Sequence, residues 1–379
     1  MSYERPGGDL DPGAVARLMR IVSVVGARPN FVKLAPVARA LATQPGVEHI
    51  VVHTGQHYDP LLSESFFTEL EIPEPKHNLE VGSLSHAQQT ARIMERFEPL
   101  CGELRPDWVL VYGDVNSTVA AGLVAAKLGV RVAHVEAGLR SYDRSMPEEH
   151  NRVVTDHLAD LLLAPSRDAV ANLAREGIPA ERVAFVGNVM IDSLVHARPQ
   201  ARRLRTAERL GLPEGKFALV TLHRPSNVDD PQVFGGLCDA LAEISRERPT
   251  LFPVHPRSQA RLSETGLVSR LGNVRLSEPL PYLAMLDLTE SAALVITDSG
   301  GIQEETTFLG VPCLTVRPNT ERPITVEQGT NRLVAPTRDA IIAAARNGRA
   351  RGPAPQIELW DGRAAERIAA SLVEGRRFD

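Results

Sequence analysis

Short apolar runs alternate with amphipathic segments along most of the chain. Apolar residues at helical spacing predict helices at 30–41 and 116–128. Runs rich in Val, Ile and Leu predict strands at 19–25, 47–53, 108–112, 131–135, 161–164 and 183–186. Because parallel strands need crossover connections, which are usually helices, this alternation indicates a parallel sheet that is covered by helices on both faces.

The alternation resumes after a basic segment, which we predict to be a helix around residues 201–210. Five further strands are predicted, at 218–222, 251–254, 274–276, 294–297 and 313–316. The predicted fold class is therefore α/β, with two Rossmann-like doubly wound domains that face a central cleft. We expect a flexible N-terminal extension at 1–18 and a first domain at 19–195, which carries catalytic carboxylates. A second domain is expected at 196–361, followed by a C-terminal helix at 362–379 that packs back toward the first domain.

Composition and charge narrow the class of protein. A length of 379 residues suits two domains, and a hydrophobic share of 43% is ordinary for a soluble chain. The net charge of −5 and the aromatic content of 4% argue against nucleic acid and anionic membranes as partners. No apolar stretch has the length of a membrane helix, and the three separated cysteines have no metal or disulfide spacing, which favours a cytoplasmic location.

The stretch TDSGGIQEETTFLG at 297–310 combines a strand end, a turn and a helix start. Gly300 and Gly301 have no Cβ, so a ligand or another backbone segment can approach them closely. The free N–H groups and the positive dipole of a helix start suit a phosphate group. A purely structural alternative has about equal weight on this stretch alone: Ser299 caps the helix, while Glu304 and Glu305 face its dipole.

Three acidic residues and a histidine follow strands or lie in loops at the predicted sheet edges. Asp114 and Glu136 each follow a strand of the first domain, His223 ends a strand of the second, and Glu148 lies in SMPEEHNR at 145–152. Together they predict acid–base chemistry at the cleft. Glu148 has a structural alternative, because a serine at 145 and a glutamate at 148 have the spacing of a capping box.

The segment GARP at 26–29 closes the first predicted strand. The planar fork of Arg28 matches phosphate oxygens, although a surface arginine is the alternative interpretation. The segment is not GxGxxG, which disfavours a nicotinamide dinucleotide. Asp114, Glu136 and His223 are possible ligands for a divalent ion, but no compact ligand motif supports a metal site. The chain also has no GxSxG elbow for a serine hydrolase.

These motifs give the chain a family resemblance. It resembles the non-hydrolysing UDP-N-acetylglucosamine 2-epimerases, whose fold is that of the two-Rossmann-domain (GT-B) glycosyltransferases. The resemblance runs from about residue 19 to the C-terminal helix. The motifs agree in order and spacing: GARP at 26–29, TGQH at 54–57, YGD at 112–114, HVEAGLR at 134–140, PEEHNR at 147–152, GN at 187–188, HR at 223–224, TDSGGIQEE at 297–305 and TERP at 320–323.

The resemblance implies roles for particular residues. The catalytic positions fall on Asp114, Glu136, Glu148 and His223. The diphosphate of UDP would be bound by the Ser-Gly-Gly turn at 299–301, which is Ser299, Gly300 and Gly301, and the ribose hydroxyls by Glu305. Positive charge for the diphosphate would come from Arg28, Lys33 and Arg322. A possible second, regulatory substrate site corresponds to Gln56, Glu148, Arg224 and His255. The resemblance implies no cofactor and no metal, and a cytoplasmic homodimer that acts on a nucleotide sugar in cell-surface polysaccharide biosynthesis.

A few positions depart from the family pattern. Asn30 stands where glutamate is usual, Met285 stands where some members have an aromatic residue near uracil, and Pro-Ser-Asn at 225–227 replaces Arg-Glu-Asn. At the second site, Asp59 replaces a common glutamine and Ser85 stands where an arginine would reach the ligand. Loss of a guanidinium that faces a diphosphate weakens binding, so we predict weaker regulation by substrate.

The implied reaction is inversion at C2 of UDP-N-acetylglucosamine, which gives UDP-N-acetylmannosamine. The C2 proton is not next to a carbonyl group, so a feasible route eliminates UDP to give a 2-acetamidoglucal and then adds UDP back. Three alternatives stay open: a hydrolysing epimerase that releases ManNAc and UDP, a UDP-sugar-dependent GT-B glycosyltransferase, and a nucleotide-sugar sensor without turnover. A related UDP-2-acetamido sugar is a further possible substrate.

Overall fold

The computed structural model of the chain describes residues 17–56, 67–348 and 350–374. The predicted extension at 1–18 therefore falls almost entirely outside the described residues, as do His57 and Asp59. Within the described ranges, no helix is both long and apolar enough to span a bilayer. The three cysteines are buried free thiols, at Cys101, Cys238 and Cys313.

The first sheet is built from seven parallel strands. They are β1 Met19–Val25, β2 Val47–His53, β3 His77–Asn78, β4 Trp108–Tyr112, β5 Arg131–Val135, β6 Leu161–Ala164 and β7 Val183–Phe185. Their order across the sheet is β3-β2-β1-β4-β5-β6-β7, so the order reverses at β1 and leaves a crevice beside the carboxyl ends of β1 and β4.

The second sheet has six parallel strands and the same kind of reversal. They are β8 Ala218–Thr221, β9 Thr250–Pro253, β10 Arg275–Ser277, β11 Leu294–Thr297, β12 Cys313–Val316 and β13 Asn331–Val334. Their order is β10-β9-β8-β11-β12-β13. Two doubly wound parallel sheets confirm the predicted α/β fold class. Strands β3 and β13 were not predicted, because β3 has two residues and β13 begins with Asn-Arg instead of an apolar run.

Helices connect most of the strands and cover both faces of each sheet. They are α1 Arg28–Ala42, α2 His86–Leu104, α3 Asn116–Lys127, α4 Pro147–Leu158, α5 Arg167–Arg175, α6 Val189–Leu204, α7 Thr206–Arg209, α8 Pro225–Val228, α9 Pro231–Glu247, α10 Pro256–Thr265, α11 Tyr282–Ser291, α12 Gly300–Leu309, α13 Ile324–Glu327, α14 Arg338–Arg346 and α15 Ala364–Val373. The predicted helix at 201–210 is wrong in its bounds, because Arg205 adopts a positive φ of 49° and separates α6 from α7.

Alternation along β1 shows why this strand lies at the centre of its sheet. Ile21 and Val25 face a core that includes Phe31 of α1, while Val22 faces the opposite core with Phe97 of α2. Successive side chains of a strand point to opposite faces, so an apolar run is required wherever both faces are covered. The polar groups of the strand ends are thereby left at the edges of the sheet, next to the cleft.

The last helix lies against the first half of the chain. Ile368 of α15 belongs to the same apolar core as Leu34 of α1. Asp192 of α6 accepts hydrogen bonds from the backbone N–H groups of Ala364 at 3.1 Å and Ala365 at 2.7 Å. These contacts satisfy donors in the first turn of α15, which have no partner within the helix itself.

Candidate functional site

Glu136 lies at the carboxyl end of β5, next to the turn that follows β4. Its carboxylate accepts hydrogen bonds from Lys33 of α1 and, at 2.9 Å, from Nη2 of Arg322 in the second half of the chain. The backbone of Glu136 has a positive φ of 71°, which is uncommon for a residue with a side chain. Gly113 also has a positive φ, and a Cβ there would lie 2.6 Å from Nζ of Lys33. Close packing therefore brings these charges together.

Asp114 immediately follows this turn and is ion-paired with Arg152 of α4. Asn151 donates a hydrogen bond to the backbone oxygen of Asp114 at 2.9 Å. Burial acts to raise the pKa of Asp114, but the positive charges of Arg152 and Lys33 outweigh burial and lower it. Asp114 is therefore held as a carboxylate.

The capping box suggested for the start of α4 is not formed. The helix begins at Pro147, and the hydroxyl of Ser145 instead donates to Asp143 at 2.6 Å. Glu149 binds the preceding loop, because it accepts hydrogen bonds from the N–H and hydroxyl of Ser141 at 3.0 and 2.8 Å. Glu148 is half-buried in the first turn and takes no part in a cap. Its negative charge acts to raise the pKa of Arg224, in the second half of the chain.

Sequence reasoning missed a buried histidine behind the Gly113–Asp114 turn. Nε2 of His134 lies 2.7 Å from the backbone oxygen of Gly113, and Nδ1 lies 2.6 Å from Oδ1 of Asp156. Both ring nitrogens of His134 thus face oxygen atoms of neighbouring segments, which fixes the orientation of the ring. Burial acts to raise the pKa of Asp156, and His134 and Arg140 more than reverse this effect. His134 stands in an otherwise apolar strand, which was the available signal.

In the second half of the chain, Asp298 orients His223. Asp298 is fully buried and accepts hydrogen bonds from the backbone N–H groups of His223 and Arg224 and from Asn227. Its Oδ1 also lies 3.0 Å from Nδ1 of His223. The imidazole is partly exposed, so the contact at Nδ1 leaves Nε2 as the ring nitrogen that can meet a ligand. The role of Asp298 was not predicted.

The turn after β11 brings the helix start of α12 against Arg322. A Cβ on Gly300 would lie 2.5 Å from Nη1 of Arg322, so a larger residue would displace the guanidinium. Ser299 occupies the N-cap position, but its side chain makes no capping hydrogen bond. The first turn of α12 contains no acidic residue, so the interpretation in which Glu304 and Glu305 face the dipole is wrong.

Glu305 and Glu304 are both buried, and they have different neighbours. The hydroxyl of Tyr282 donates a hydrogen bond to Glu305, and burial raises the pKa of Glu305 to about 7. Oε1 of Glu304 lies 3.0 Å from Nε of Arg322 and accepts a hydrogen bond from Asn188 at 2.9 Å. Burial raises the pKa of Glu304 to about 7 as well, against the opposing charge of Arg322.

Residues assigned to the second site have structural contacts of their own. Oε1 of Gln56 accepts hydrogen bonds from the N–H and the hydroxyl of Ser117 at 3.2 and 2.7 Å. His255 and Ser85 occupy N-cap positions, where they accept from the N–H groups two and three residues later. Arg224 donates from Nε to the backbone oxygen of Asp298 at 2.9 Å. Burial and the nearby charge of Arg317 lower the pKa of Arg224.

Asn30, which departs from the family pattern, and Asn227, which keeps the asparagine of Arg-Glu-Asn, are both buried and bonded. Oδ1 of Asn30 accepts from the N–H of Ala27 at 3.3 Å, and Nδ2 donates to the oxygen of Tyr112 at 2.9 Å. Asn227 donates to Asp298 and to the oxygen of Val316, each at 3.0 Å. The backbone of Arg28 begins α1, and its side chain lies outside the described part of the structure. Among the described residues, no group of three or more His, Cys, Asp or Glu side chains has the geometry of a metal site.

Comparison with known proteins places this geometry in context. A sequence model of the family described as UDP-N-acetylglucosamine 2-epimerase matches residues 39–373. A Methanococcus maripaludis protein named UDP-N-acetylglucosamine 2-epimerase homolog is 44% identical over 329 residues, which cover 86% of this chain and 91% of the relative. The UDP-2,3-diacetamido-2,3-dideoxy-D-glucuronate 2-epimerase of Pseudomonas aeruginosa is 41% identical over 363 residues, with coverages of 94% and 100%.

A solved structure shares the architecture over nearly the whole chain. It is the crystal structure of the Methanocaldococcus jannaschii UDP-GlcNAc 2-epimerase in complex with UDP-GlcNAc and UDP. Its TM-score to the present structure is 0.86 at 39% identity, and the match covers 94% of this chain and 100% of that chain.

Proposed function

Because the chain belongs to the UDP-N-acetylglucosamine 2-epimerase family, we propose that it interconverts UDP-N-acetylglucosamine and UDP-N-acetylmannosamine without net hydrolysis. One observation carries the proposal: the carboxylate of Glu136 is held between Lys33 and Arg322 at the cleft. A proton acceptor and two cations meet at one point in this arrangement. An elimination that expels an anionic diphosphate needs such a set of groups.

The proposed reaction proceeds through an unsaturated sugar. A carboxylate removes the C2 proton while the C1–O bond to UDP breaks, and the C–H electron pair forms the C1=C2 double bond. UDP leaves with the electron pair of the C1–O bond, so the products of this step are UDP and 2-acetamidoglucal. Addition of UDP at C1 and of a proton on the opposite face of C2 then gives the epimer. The candidate acids and bases are Asp114, Glu136 and Glu148.

The departing diphosphate requires positive charge and donors. We assign this role to Lys33, Arg322 and Arg28, together with the N–H groups at the start of α12 after Ser299. In our assignment His223 acts through Nε2 on the leaving group, while Asp298 holds Nδ1. A histidine that is oriented in this way presents one defined nitrogen to the ligand.

The nucleoside end of the substrate is assigned to α12 and its neighbours. Gly300 and Gly301 allow the diphosphate to approach the backbone, and Glu305 accepts from the ribose hydroxyls. Two hydroxyl donors match one carboxylate, because an ionised carboxylate has about four acceptor sites. In the absence of ligand, the hydroxyl of Tyr282 donates to Glu305. We propose that ribose replaces or shares this contact.

A second substrate site is proposed with weaker coupling than in relatives. We place Gln56, Glu148, Arg224 and His255 around it. Ser85 has no positive charge to offer a second diphosphate, and it already caps α2. A ligand favours a closed state only through its differential affinity for that state, so a weaker site means weaker activation. An assay that starts from pure UDP-N-acetylmannosamine tests this: a long lag that added UDP-N-acetylglucosamine abolishes would contradict the proposal.

The experiment that tests the main proposal uses UDP-N-acetylglucosamine alone in heavy water, followed by NMR. We expect an equilibrium mixture of two UDP-sugars with deuterium at C2 of both. Accumulation of free ManNAc and UDP would indicate a hydrolysing epimerase, and no turnover would indicate a glycosyltransferase that lacks its acceptor or a nucleotide-sugar sensor. Parallel incubation with a UDP-2,3-diacetamido uronate tests the substrate named for the Pseudomonas aeruginosa relative. Light scattering tests the proposed homodimer.

A further inference from the structure

Arg322 is a buried guanidinium that three carboxylates surround. Its Nη2 reaches Glu136 across the cleft at 2.9 Å, and its Nη1 donates to Glu321. Its Nε lies 3.0 Å from Oε1 of Glu304. Two of these carboxylates come from the same half of the chain as Arg322. The direction of the guanidinium is therefore set from its own side of the cleft before any ligand arrives.

Glu304, like Glu321, is a member of this set that no assigned role uses. It is 2% exposed, and its Oε1 also accepts a hydrogen bond from Asn188 at 2.9 Å. Its Oε2 has no hydrogen-bond partner among the residues that the structure describes. A buried carboxylate oxygen without a partner is costly, so its presence calls for an explanation.

The position of Glu304 on α12 links it to the proposed diphosphate site. It lies one helical turn after Gly300, whose missing side chain leaves room for Nη1 of Arg322. Arg322 is thus confined by the backbone at the helix start and by Glu304 one turn later. A planar guanidinium that is held along one edge keeps its remaining N–H groups in a fixed direction.

We propose that Glu304 is a positioning residue, which holds Arg322 against the start of α12 so that the free N–H groups of the guanidinium face the diphosphate of the substrate. This inference rests on the proposed function, because it needs an anionic ligand at Arg322. Glu304 itself lies behind the guanidinium. Its effect on binding therefore passes through Arg322.

The charge of Glu304 is consistent with this role. Arg322, Lys33, Glu136 and the adjacent Glu305 face it, and burial raises its pKa to about 7. A bound diphosphate brings further negative charge, which favours a protonated Glu304. Oε1 can still accept hydrogen bonds when Oε2 carries the proton. A neutral glutamine should therefore hold Arg322 nearly as well.

The test is a double-mutant cycle on UDP affinity, measured by calorimetry. We expect Arg322→Ala to weaken binding about 10- to 150-fold, and Glu304→Ala to weaken it about 10-fold. In the Arg322→Ala background, Glu304→Ala should change affinity by less than about twofold. Glu304→Gln should stay within about threefold of the parent. A role in folding alone would predict neither the coupling nor the rescue.

Two further variants keep the test interpretable. Glu304→Met preserves most of the side-chain volume without an acceptor, and it replaces the alanine variant if that variant does not fold. Glu290→Gln is the matched control, because Glu290 is bound by Arg198 and Arg202 elsewhere in the molecule. This control should leave UDP affinity unchanged.

Several outcomes would overturn the inference. Losses from the Glu304 and Arg322 substitutions that simply add would show that Glu304 acts independently of Arg322. Unchanged affinity in Glu304→Ala or in Arg322→Ala, with a parent protein that binds UDP, would overturn the positioning role alone. A parent protein that binds no UDP at all would overturn the proposed function and this inference with it.

Discussion

Buried carboxylates in two regions of the molecule have opposite surroundings. At the edge of the first sheet, Asp114 faces Arg152, and Asp156 faces both His134 and Arg140. On α12 of the second half, Glu305 faces the hydroxyl of Tyr282, and Glu304 shares Arg322 with two other carboxylates. Burial affects all four groups. Cations outweigh it in the first region, so the pKa values are lowered, whereas on α12 burial prevails and both pKa values rise to about 7.

This difference corresponds to different demands on the side chains. A carboxylate that takes a proton from carbon must be ionised at the start of the reaction, and neighbouring cations ensure this. A carboxylate that accepts from hydroxyl groups or holds a guanidinium needs acceptor oxygens more than a full charge. A permanent charge beside a diphosphate would also repel it. The two regions thus contain the same functional group with pKa values shifted in opposite directions.

Glu136 joins the two regions, and its removal should have the largest effect. We expect Glu136→Gln to lower the rate of epimerisation by about 10²- to 10⁴-fold, because an amide cannot accept the C2 proton. UDP affinity should remain close to that of the parent, since the amide still fills the space between Lys33 and Arg322. Turnover by NMR and binding by calorimetry measure the two quantities.

Retained epimerase activity in this variant would shift the role of base to Asp114 or Glu148. Lost UDP binding would instead show that Glu136 mainly organises the cations. Glu149→Gln is a poor control, because Glu149 fixes the adjacent loop through Ser141. A surface substitution such as Glu278→Gln serves better.

The polar residues at strand ends could be found in the sequence, but their partners could not. Asp114 and Glu136 follow obvious apolar runs, and the alternation of strands and helices predicted both sheets. Arg322 and Glu136 are 186 positions apart, and their contact depends on how the two sheets face each other. The local sequence around either residue gives no indication of this contact. Domain boundaries and the roles of site residues remain predictions.

The contacts of buried polar residues also could not be predicted from the sequence. His134 lies within an apolar strand and Asp298 directly follows one, and a local pattern cannot distinguish a ligand from a structural group at either position. Their meaning depends on which acceptors and donors face them. For His134 these are Gly113 and Asp156, which come from two other segments of the chain. These two contacts fix the orientation of the ring, and they exist only in the folded structure.

Substitution of Asp156 should have the next largest effect. It tests the region of the first sheet in which positive charges lower the pKa values of carboxylates. Asp156→Asn removes the buried negative charge that pairs with Arg140 and contacts His134, and we expect a loss of about 3–5 kcal/mol in the free energy of unfolding. Denaturant titration at neutral pH measures it. Glu176→Gln is the matched control, since Glu176 pairs with the other edge of Arg140 at a more exposed position and should cost less than about 1 kcal/mol.

The pH dependence of this loss has a definite sign. The folded-state pKa of Asp156 is lowered, so its stabilising contribution is complete above the unfolded pKa of about 4 and disappears as pH falls through the folded value. The difference between parent and Asp156→Asn should therefore be constant near neutrality and shrink below about pH 4. A difference that grows on acidification would mean that Asp156 is not held by positive charge.

Substitution of Glu305 tests the proposed function of α12, and its effect should be intermediate in size. Glu305→Ala removes the acceptor that we propose for the ribose hydroxyls, and we expect UDP affinity to fall by about 10- to 150-fold. The glutamine variant retains one acceptor oxygen and should lose less. Calorimetry with UDP and with inorganic diphosphate separates the ribose contact from the phosphate contacts. Equal losses for both ligands would argue that Glu305 supports the helix start and does not bind ribose.

Substitution of Glu305 should also change stability with pH, in the direction opposite to the change for Asp156. The folded-state pKa of Glu305 is raised to about 7, so its favourable contribution is complete below the unfolded pKa of about 4.5 and is lost as pH rises through 7. Glu305→Gln stays neutral and keeps an oxygen that can accept from Tyr282. The variant should therefore gain stability relative to the parent between about pH 5 and 8, at no more than about 1.4 kcal/mol per pH unit. Thermal unfolding at matched ionic strength measures this gain. The charge of the adjacent Glu304 raises the pKa of Glu305, so the difference reports Glu305 together with its interaction with Glu304. A variant that is less stable than the parent near neutrality, by a difference that shrinks on acidification, would show that Glu305 is ionised and paired in the folded protein, and the contrast between the two regions would not hold.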